Sequence, residues 1–153
     1  MEKADKNSRV SLYVIISVTV ILFDQATKHL IRDFIDSFRV IKVLPFLQIV
    51  NIRNKGAAFG MFIGFGNIVF IIIAALSIVF IVYLFVKGKE DRFGLSLVLG
   101  GAAGNLIDRI IFGSVTDFID VFIGGFHWPA FNVADSALTI GILMILLKIV
   151  RSG

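Results

Sequence analysis

Residues 68–86 read IVFIIIAALSIVFIVYLFV, a stretch of nineteen residues without a charge. About 20 apolar residues in a helix cross the roughly 30 Å hydrocarbon core of a bilayer, so this stretch predicts a membrane-spanning helix. Similar stretches at 10–31, 93–112 and 134–150 predict three more spans. The composition agrees, because 58% of the 153 residues are hydrophobic, against about 45–50% in soluble domains. We therefore expect a single all-α membrane domain over residues 1–153.

The first apolar stretch resembles a signal peptide, because Lys3, Lys6 and Arg9 precede it. No cleavage site with spaced small residues follows the stretch. A polar segment occupies residues 24–28 instead, and the apolar pattern resumes at Leu30. The first span is therefore interpreted as a helix that is not cleaved.

The connections between the predicted spans differ in length. Residues 32–67 and 113–133 form long loops on one side, and a short charged turn occupies 87–92 on the other. Strand-like segments at 39–44 and 46–52 predict a small sheet outside or at the membrane surface. Lys and Arg are densest at the termini and in the short turn, so the positive-inside rule places these parts in the cytoplasm and the long loops outside.

Charge and composition exclude several classes of function. The net charge is +4, but the basic residues are scattered, which favours contact with anionic lipid over binding of nucleic acid. The absence of cysteine excludes disulfides, thiol catalysis and a cysteine metal site. The two histidines, His29 and His127, are too far apart to indicate a metal cluster. We expect neither a metal nor a cofactor.

The strongly polar residues of the spans converge on one membrane face. A charge at the centre of a spanning helix costs about 2.5–3.5 kcal/mol on insertion scales, so several at one depth indicate a site. Because successive spans alternate in direction, the end of the first, the end of the third and the start of the fourth meet at the same face. Four segments lie there: Asp24-Gln-Ala-Thr-Lys28, Gly104-Asn-Leu-Ile-Asp-Arg109, Val115-Thr-Asp-Phe118 and Phe131-Asn-Val-Ala-Asp135.

Two of these segments predict polar helix faces. Asp24 and Lys28 are four residues apart and can pair, either as a structural ion pair that eases insertion or as part of a site. Asn105, Asp108 and Arg109 also share a face, and we expect Arg109 to hold a neighbouring loop or carboxylate.

The segment around Asn51, Asn54 and Gly56 is rich in residues that favour turns and positive φ. It predicts either a bare turn or a loop that presents amide donors to the backbone of an extended substrate.

Asp117 and Asp135 are the candidates for chemistry, because the connection between them can fold back and bring them together. Two close carboxylates do not readily ionise together, so one keeps a proton. The ionised group can take a proton from water, while the protonated one polarises a carbonyl and later supplies the leaving amine. This predicts peptide hydrolysis, with a proton relay or a structural role as alternatives. Asp120 is a possible substitute for Asp117, although the two point in different directions on any regular element.

Five motifs together resemble lipoprotein signal peptidase, also called signal peptidase II, a family of aspartyl proteases of bacterial inner membranes. The resemblance covers nearly the whole chain, and Thr116, where the family often has an aliphatic residue, is a minor departure. The motifs are DQATK at 24–28, NKGAAFG at 54–60, GNLIDR at 104–109, VTDF at 115–118 and FNVAD at 131–135.

The resemblance implies that Asp117 and Asp135 are the catalytic pair. It implies a prolipoprotein substrate whose cysteine already carries diacylglycerol, cut just before that cysteine at a site near the outer face. It adds a small extracytoplasmic β-cradle and a short extracytoplasmic helix to the four spans, and globomycin or similar cyclic peptide antibiotics as inhibitors. Seven more residues would support the pair or hold substrate: Asp24, Lys28, Asn54, Gly56, Asn105, Arg109 and Asn132.

Two other classes of function stay open from the residues alone. A small proton-coupled transporter would use the same carboxylates as a relay, but it favours charges spread through the membrane depth and an internal repeat, and the sequence has neither pattern. A non-enzymatic assembly module would tolerate Asn at both aspartates with only a loss of stability. Nothing in the sequence requires more than a monomer.

Overall fold

The computed structural model describes residues 2–56, 66–87 and 91–152, with side chains from residue 10 onward. Within these ranges the chain forms four helices and four strands. The helices are α1 (Glu2–Phe34), α2 (Gly66–Lys87), α3 (Arg92–Phe112) and α4 (Val133–Ser152). The strands are β1 (Ile41–Leu44), β2 (Leu47–Asn54), β3 (Val115–Ile123) and β4 (Phe126–His127).

Each helix of the described ranges is long and apolar enough to cross a membrane, and each contains one predicted span. The helix α2 is the most apolar, with a mean hydropathy of 3.2, and only 6% of its most apolar window is buried inside the protein. The corresponding fraction for α3 is 44%. The helix α3 is therefore the centre of the bundle, and α2 presents most of its surface outward.

Glycines let α3 approach two neighbours closely. A Cβ on Gly100 would lie 2.7 Å from Cβ of Val20 in α1, and one on Gly101 would lie 2.5 Å from the carbonyl oxygen of Ala134 in α4. Since no side chain fits at such distances, the close packing depends on glycine at both positions. The polar ends of α1 and α4 are thereby brought to the same end of α3.

The turn after α3 leads directly into the sheet. Gly113 adopts φ +70° and its N–H donates to the carbonyl oxygen of Arg109 at 3.1 Å, which ends the helix in a left-handed cap. The strand β3 begins two residues later, at Val115. This short connection keeps the polar end of α3 beside the first residues of β3.

The strands form an antiparallel sheet in the order β1-β2-β3-β4, in which Ile52 lies opposite Asp117. The predicted strands at 39–44 and 46–52 are confirmed as β1 and β2. The sequence predicted a loop over 113–133, and the structure corrects this by placing β3 and β4 within it. Polar and apolar residues do not alternate in VTDFIDVFI, so the usual period of a strand is missing there.

The combination of four apolar helices with a small antiparallel sheet confirms the predicted architecture. Residues 57–65, which include the end of the motif at 54–60, lie outside the described residues, as do residues 88–90 of the charged turn. The implied short extracytoplasmic helix is not among the helices of the described ranges and stays a prediction.

Candidate active site

Asp117 and Asp135 come from different elements and line the same cavity of about 620 Å³. Asp117 is the third residue of β3 and only 2% exposed, and Asp135 lies in the first turn of α4. The strand meets the helix start because Phe131 bonds to Ile119 through its backbone, with N···O distances of 3.0 and 2.8 Å. The predicted approach of the two carboxyl groups across their connection is therefore present.

Asn132 contacts both carboxyl groups. Its Nδ2 donates to Oδ1 of Asp117 at 2.7 Å, and its backbone N–H donates to Oδ2 of Asp135 at 3.3 Å. In return, Oδ1 of Asn132 accepts the backbone N–H of Asp135 at 2.9 Å. The asparagine is completely buried and acts as the N-cap of α4, so it fixes the helix start and the carboxyl pair together.

The other oxygen of Asp117 is held from β2. Nδ2 of Asn54 donates to Oδ2 of Asp117 at 2.9 Å, while Oδ1 of Asn54 accepts the backbone N–H of Gly56 at 3.0 Å. The turn predicted at Asn54 is therefore present, although β2 extends to this residue, two positions beyond the predicted end at 52. Asn51 differs from the prediction of a turn, because it is buried within β2 and donates to the carbonyl oxygen of Ile35 at 2.6 Å.

Asp135 receives its side-chain donor from α3. Nδ2 of Asn105 donates to Oδ1 of Asp135 at 2.8 Å, and Oδ1 of Asn105 accepts from Nζ of Lys28 at 2.9 Å. Lys28 also pairs with Asp24 at 2.8 Å, and both side chains are fully buried. The predicted pair of α1 therefore exists and contacts the site through Asn105.

Asp24 has a further contact that connects α1 with α4. Its Oδ1 accepts the backbone N–H of Ala134 at 2.9 Å, one residue before Asp135. A carboxylate at this position also stabilises the positive end of the helix dipole. Asp24 therefore contacts both the ammonium group of Lys28 and the N-terminus of α4. These two contacts stabilise its negative charge away from solvent.

Arg109 holds a neighbouring segment, as its place in the sequence predicted. Its Nη2 donates to the carbonyl oxygen of Gly56 at 2.8 Å, and its guanidinium lies 4.4 Å from the ring centroid of Phe70. Gly56 follows Asn54 by two residues, so Arg109 positions the turn that supplies a donor to Asp117. Both Arg109 and Gly56 also line the cavity.

Burial is the largest influence on the acidity of Asp117 and raises the pKa of this carboxyl to about 6. The negative charge of Asp135 raises the pKa further, whereas hydrogen bonds from Asn54 and Asn132 and the charge of Lys28 lower it. The carboxyl pair is therefore suited to retaining a proton in mildly acidic solution, up to a pH of about 6.

Two polar residues have roles that the sequence did not indicate. Thr116 is completely buried, its hydroxyl accepts from Arg32 and Arg53 at 3.3 and 3.2 Å, and its N–H donates to Asp108 at 2.9 Å. Gln25 donates to Asp24 and to Asp108 at 3.1 and 3.3 Å. The contacts of Thr116 with the two arginines and of Gln25 with Asp108 join residues 63 to 84 positions apart, and no local pattern indicates them.

Asp120 is not a substitute for Asp117. It accepts from Gln48 at 2.6 Å and contacts His127, and it is absent from the residues that line the cavity. Among the described residues, no group of three or more His, Asp or Glu side chains could hold a metal ion. The cavity brings together Asp117, Asp135, Asn54, Gly56, Asn105 and Arg109, with Asn132 behind the two carboxyl groups.

The profile of the signal peptidase (SPase) II family matches residues 16–151 of the chain. The chain belongs to the signal peptidase II family. Lipoprotein signal peptidase of Thermodesulfovibrio yellowstonii is 48% identical over 129 residues, which cover 84% of this chain and 88% of that protein. Lipoprotein signal peptidase of Syntrophotalea carbinolica is 43% identical over 155 residues, which cover 97% of this chain and 96% of that protein. That of Staphylococcus aureus strain JH9 is 41% identical over 145 residues, which cover 90% of this chain and 87% of that protein.

Solved structures agree with the membership of the signal peptidase II family. A bacterial membrane enzyme determined by the in meso method superimposes with a TM-score of 0.86 at 38% identity and covers 93% of this chain and 89% of its own. A second bacterial membrane enzyme structure, also determined by the in meso method, has a TM-score of 0.85 at 38% identity and covers 94% of this chain and 96% of its own. Family membership makes the protein a protease that removes signal peptides from prolipoproteins, and its four apolar helices in the described ranges fit a multi-pass membrane protein.

Proposed function

We propose that the protein is an aspartic endopeptidase that cuts diacylglyceryl-modified prolipoproteins just before the lipid-modified cysteine. The observation that carries the proposal is the double contact of Asn132, which holds Asp117 and Asp135 at one cavity. Two carboxyl groups in that arrangement can activate water, which is the step that separates an aspartic protease from a protease with a covalent nucleophile.

The proposed reaction begins with a water molecule between the two carboxyl groups. The ionised carboxyl removes a proton from the water, whose oxygen attacks the carbonyl carbon before the cysteine, while the protonated carboxyl donates to the carbonyl oxygen. The intermediate then collapses with cleavage of the C–N bond. The proton taken from water passes to the cysteine nitrogen, and the second carboxyl recovers its proton from a hydroxyl group of the intermediate.

The surrounding amides support this chemistry by fixing the two carboxyl groups before substrate arrives. Asn54 and Asn132 each donate to one oxygen of Asp117, which leaves the remaining lone pairs of that carboxyl for water and substrate. Asn105, which is oriented by Lys28, donates to one oxygen of Asp135 and so fixes the second carboxyl group. Donors that need no reorganisation during the reaction lower its barrier.

The shape of the cavity supports a substrate that is part peptide and part lipid. The lining combines the polar groups around the carboxyl pair with apolar side chains, including Trp128, Pro129, Leu138 and Ile140. A diacylglyceryl group held against these residues would keep the scissile bond beside the carboxyl groups, and such positioning supplies a large part of many rate enhancements.

The same proposal includes the setting of the reaction. The protein resides in the bacterial inner membrane with both termini in the cytoplasm and the carboxyl pair near the outer face. Membrane lipid surrounds it, globomycin and related cyclic peptides occupy the cavity as inhibitors, and the protein acts as a monomer without a cofactor or nucleic acid.

Cleavage by purified protein in lipid tests the proposal. A diacylglyceryl prolipoprotein is the substrate, the unmodified prolipoprotein is its control, and mass spectrometry identifies the new N-terminus. We expect a product that begins with the lipid-modified cysteine, inhibition by globomycin and little cleavage of the control. Cleavage at another bond, or equal cleavage of both substrates, would contradict the proposal.

A further inference from the structure

Asp120 lies on the face of β3 opposite to Asp117 and takes no part in the proposed chemistry. Its side chain is buried, and Nε2 of Gln48 donates to its Oδ2 at 2.6 Å. Nδ1 of His127 lies 3.0 and 2.9 Å from its two oxygens. With the hydrogen on Nδ1, the imidazole of His127 donates to the carboxyl oxygens of Asp120.

This contact secures a strand that is otherwise weakly held. The strand β4 has two residues, which pair only with Phe122 and Ile123 of β3. The tip of the hairpin is open, since Ile123 is 80% exposed and Phe126 is 66% exposed. Two residue pairs supply few backbone hydrogen bonds between the strands, so the side chain of His127 adds a further attachment of β4 to β3. Its ring also stacks on Phe122 with 5.1 Å between the centroids.

The segment that follows His127 is a wall of the cavity. Residues 128–131 all line it. The backbone N–H of Trp128 donates to Val121 at 2.9 Å, and Phe131 exchanges two backbone hydrogen bonds with Ile119. The wall is therefore an arch with both ends on β3, and His127 directly precedes the end at Trp128.

We propose that Asp120 and His127 form a positioning pair that sets the place of the wall at residues 128–131 relative to the carboxyl pair. The pair does not touch the reacting atoms. It acts through the wall and determines how tightly the apolar, lipid-bearing part of the substrate is held. The identity of that substrate rests on the proposed function, whereas the position of the wall does not.

The geometry predicts an effect on binding rather than on chemistry. The donors to Asp117 come from Asn54 and Asn132, and neither contacts His127. The backbone bonds of Phe131 hold the other end of the arch independently. Loss of the imidazole therefore weakens the attachment of the wall at Trp128, which keeps its backbone hydrogen bond to Val121, and leaves the carboxyl pair in place.

Two control substitutions and the fluorescence of Trp128 make the role of His127 testable. His29 is the other histidine, and it also contacts an aspartate, Asp33, at 3.2 Å, but both side chains are well exposed at the outer end of α1. Asn in place of His127 keeps an N–H donor near the position of Nδ1. Trp128 is the single tryptophan, so the accessibility of its fluorescence to acrylamide reports the wall directly.

The experiment compares wild type with His127→Ala, His127→Asn and His29→Ala in lipid. For His127→Ala we expect a rise in KM of about tenfold, which corresponds to about 1.4 kcal/mol, a kcat within about twofold of wild type, and stronger quenching of Trp128. His127→Asn should recover most of both properties, and His29→Ala should match wild type.

Unchanged KM and quenching in His127→Ala would overturn the inference. A fall in kcat at constant KM would also overturn it. So would a loss of activity in His127→Ala that parallels a lower melting temperature and that His127→Asn does not restore. The quenching comparison needs no turnover. A wild-type protein that fails to cut the lipid-modified substrate would therefore count against the proposed function, while Trp128 still reports whether His127 positions the wall.

Discussion

The ammonium group of Lys28 donates a hydrogen bond of 2.9 Å to Oδ1 of Asn105. This contact fixes the orientation of the amide, so that Nδ2 of Asn105 faces Asp135 and donates to it at 2.8 Å. Lys28 also pairs with Asp24 at 2.8 Å without access to solvent. The lysine therefore neutralises one buried carboxylate and orients the donor to another, and the two roles can be separated.

The first prediction separates these two roles of Lys28. Lys28→Met leaves Asp24 buried without its partner, and breaking such a pair costs about 3–5 kcal/mol, so we expect a large fall in melting temperature and in kcat. The double variant Asp24→Asn, Lys28→Met removes the unpaired charge. It should regain most of the melting temperature but not kcat, because Oδ1 of Asn105 has lost the shorter of its two hydrogen bonds and keeps the bond of 3.3 Å from Nδ2 of Asn132.

Thermal unfolding in detergent and turnover of the lipid-modified substrate measure the two quantities. Recovery of kcat together with the melting temperature in the double variant would mean that Lys28 serves only as the partner of Asp24. Thr27→Val provides a control on the same helix, because the Thr27 hydroxyl bonds only to backbone carbonyls of its own turn among the described residues.

The second prediction concerns pH. The pKa of Asp117 is raised to about 6, chiefly by burial, and the N–H of Asn54 opposes the rise by stabilising the carboxylate. If the carboxyl pair works with one proton, kcat/KM falls as the pH rises through about 6 and that proton is lost. Asn54→Leu removes a donor to the carboxylate, so the pKa of Asp117 rises and the falling limb moves to higher pH by about one unit.

Profiles of kcat/KM between mildly acidic and mildly basic pH measure the position of this limb. A lower maximal rate for Asn54→Leu is expected as well, because Asp117 becomes less well fixed. A limb that stays in place or moves to lower pH would contradict the assignment of Asn54 as a donor to the ionised carboxyl of Asp117.

The third prediction tests the close approach of α3 and α4. A Cβ at Gly101 would lie 2.5 Å from the carbonyl oxygen of Ala134, the residue before Asp135. Gly101→Ala should lower the free energy of unfolding by about 1–3 kcal/mol and reduce kcat, because α4 moves away from Asn105. Gly125→Ala is the control, since a Cβ there meets no described atom within 4 Å. Equal melting temperatures and rates for both variants would contradict the packing argument.

The spans and the contacts within one helix could be predicted from the sequence, because they depend on local properties. The apolar length of residues 68–86 is sufficient to predict α2. The spacing of Asp24 and Lys28 by one helical turn is sufficient to predict their ion pair. The strands β1 and β2 were also recognisable, because residues that favour strands lie on both sides of Pro45.

The strand β3 and the contacts across the site could not be predicted in the same way. One face of β3 places Asp117 at the cavity and the other places Asp120 against Gln48 and His127, so polar residues occur on both faces and hide the strand pattern. Asn132 and Asn54 are brought to Asp117 from positions 15 and 63 residues away. Only the packing of α1, α3 and α4 around the sheet determines such contacts.

The most direct test of the account is the turnover of Asp117→Asn and Asp135→Asn on a diacylglyceryl prolipoprotein, with Asp33→Asn as control. Asp33 is 46% exposed in its side chain at the end of α1 and outside the cavity lining. Each variant of the pair should insert and melt like a folded protein but lose turnover by about 100- to 10,000-fold, while the control retains the wild-type rate. Near-normal turnover by either Asp117→Asn or Asp135→Asn would contradict the central claim.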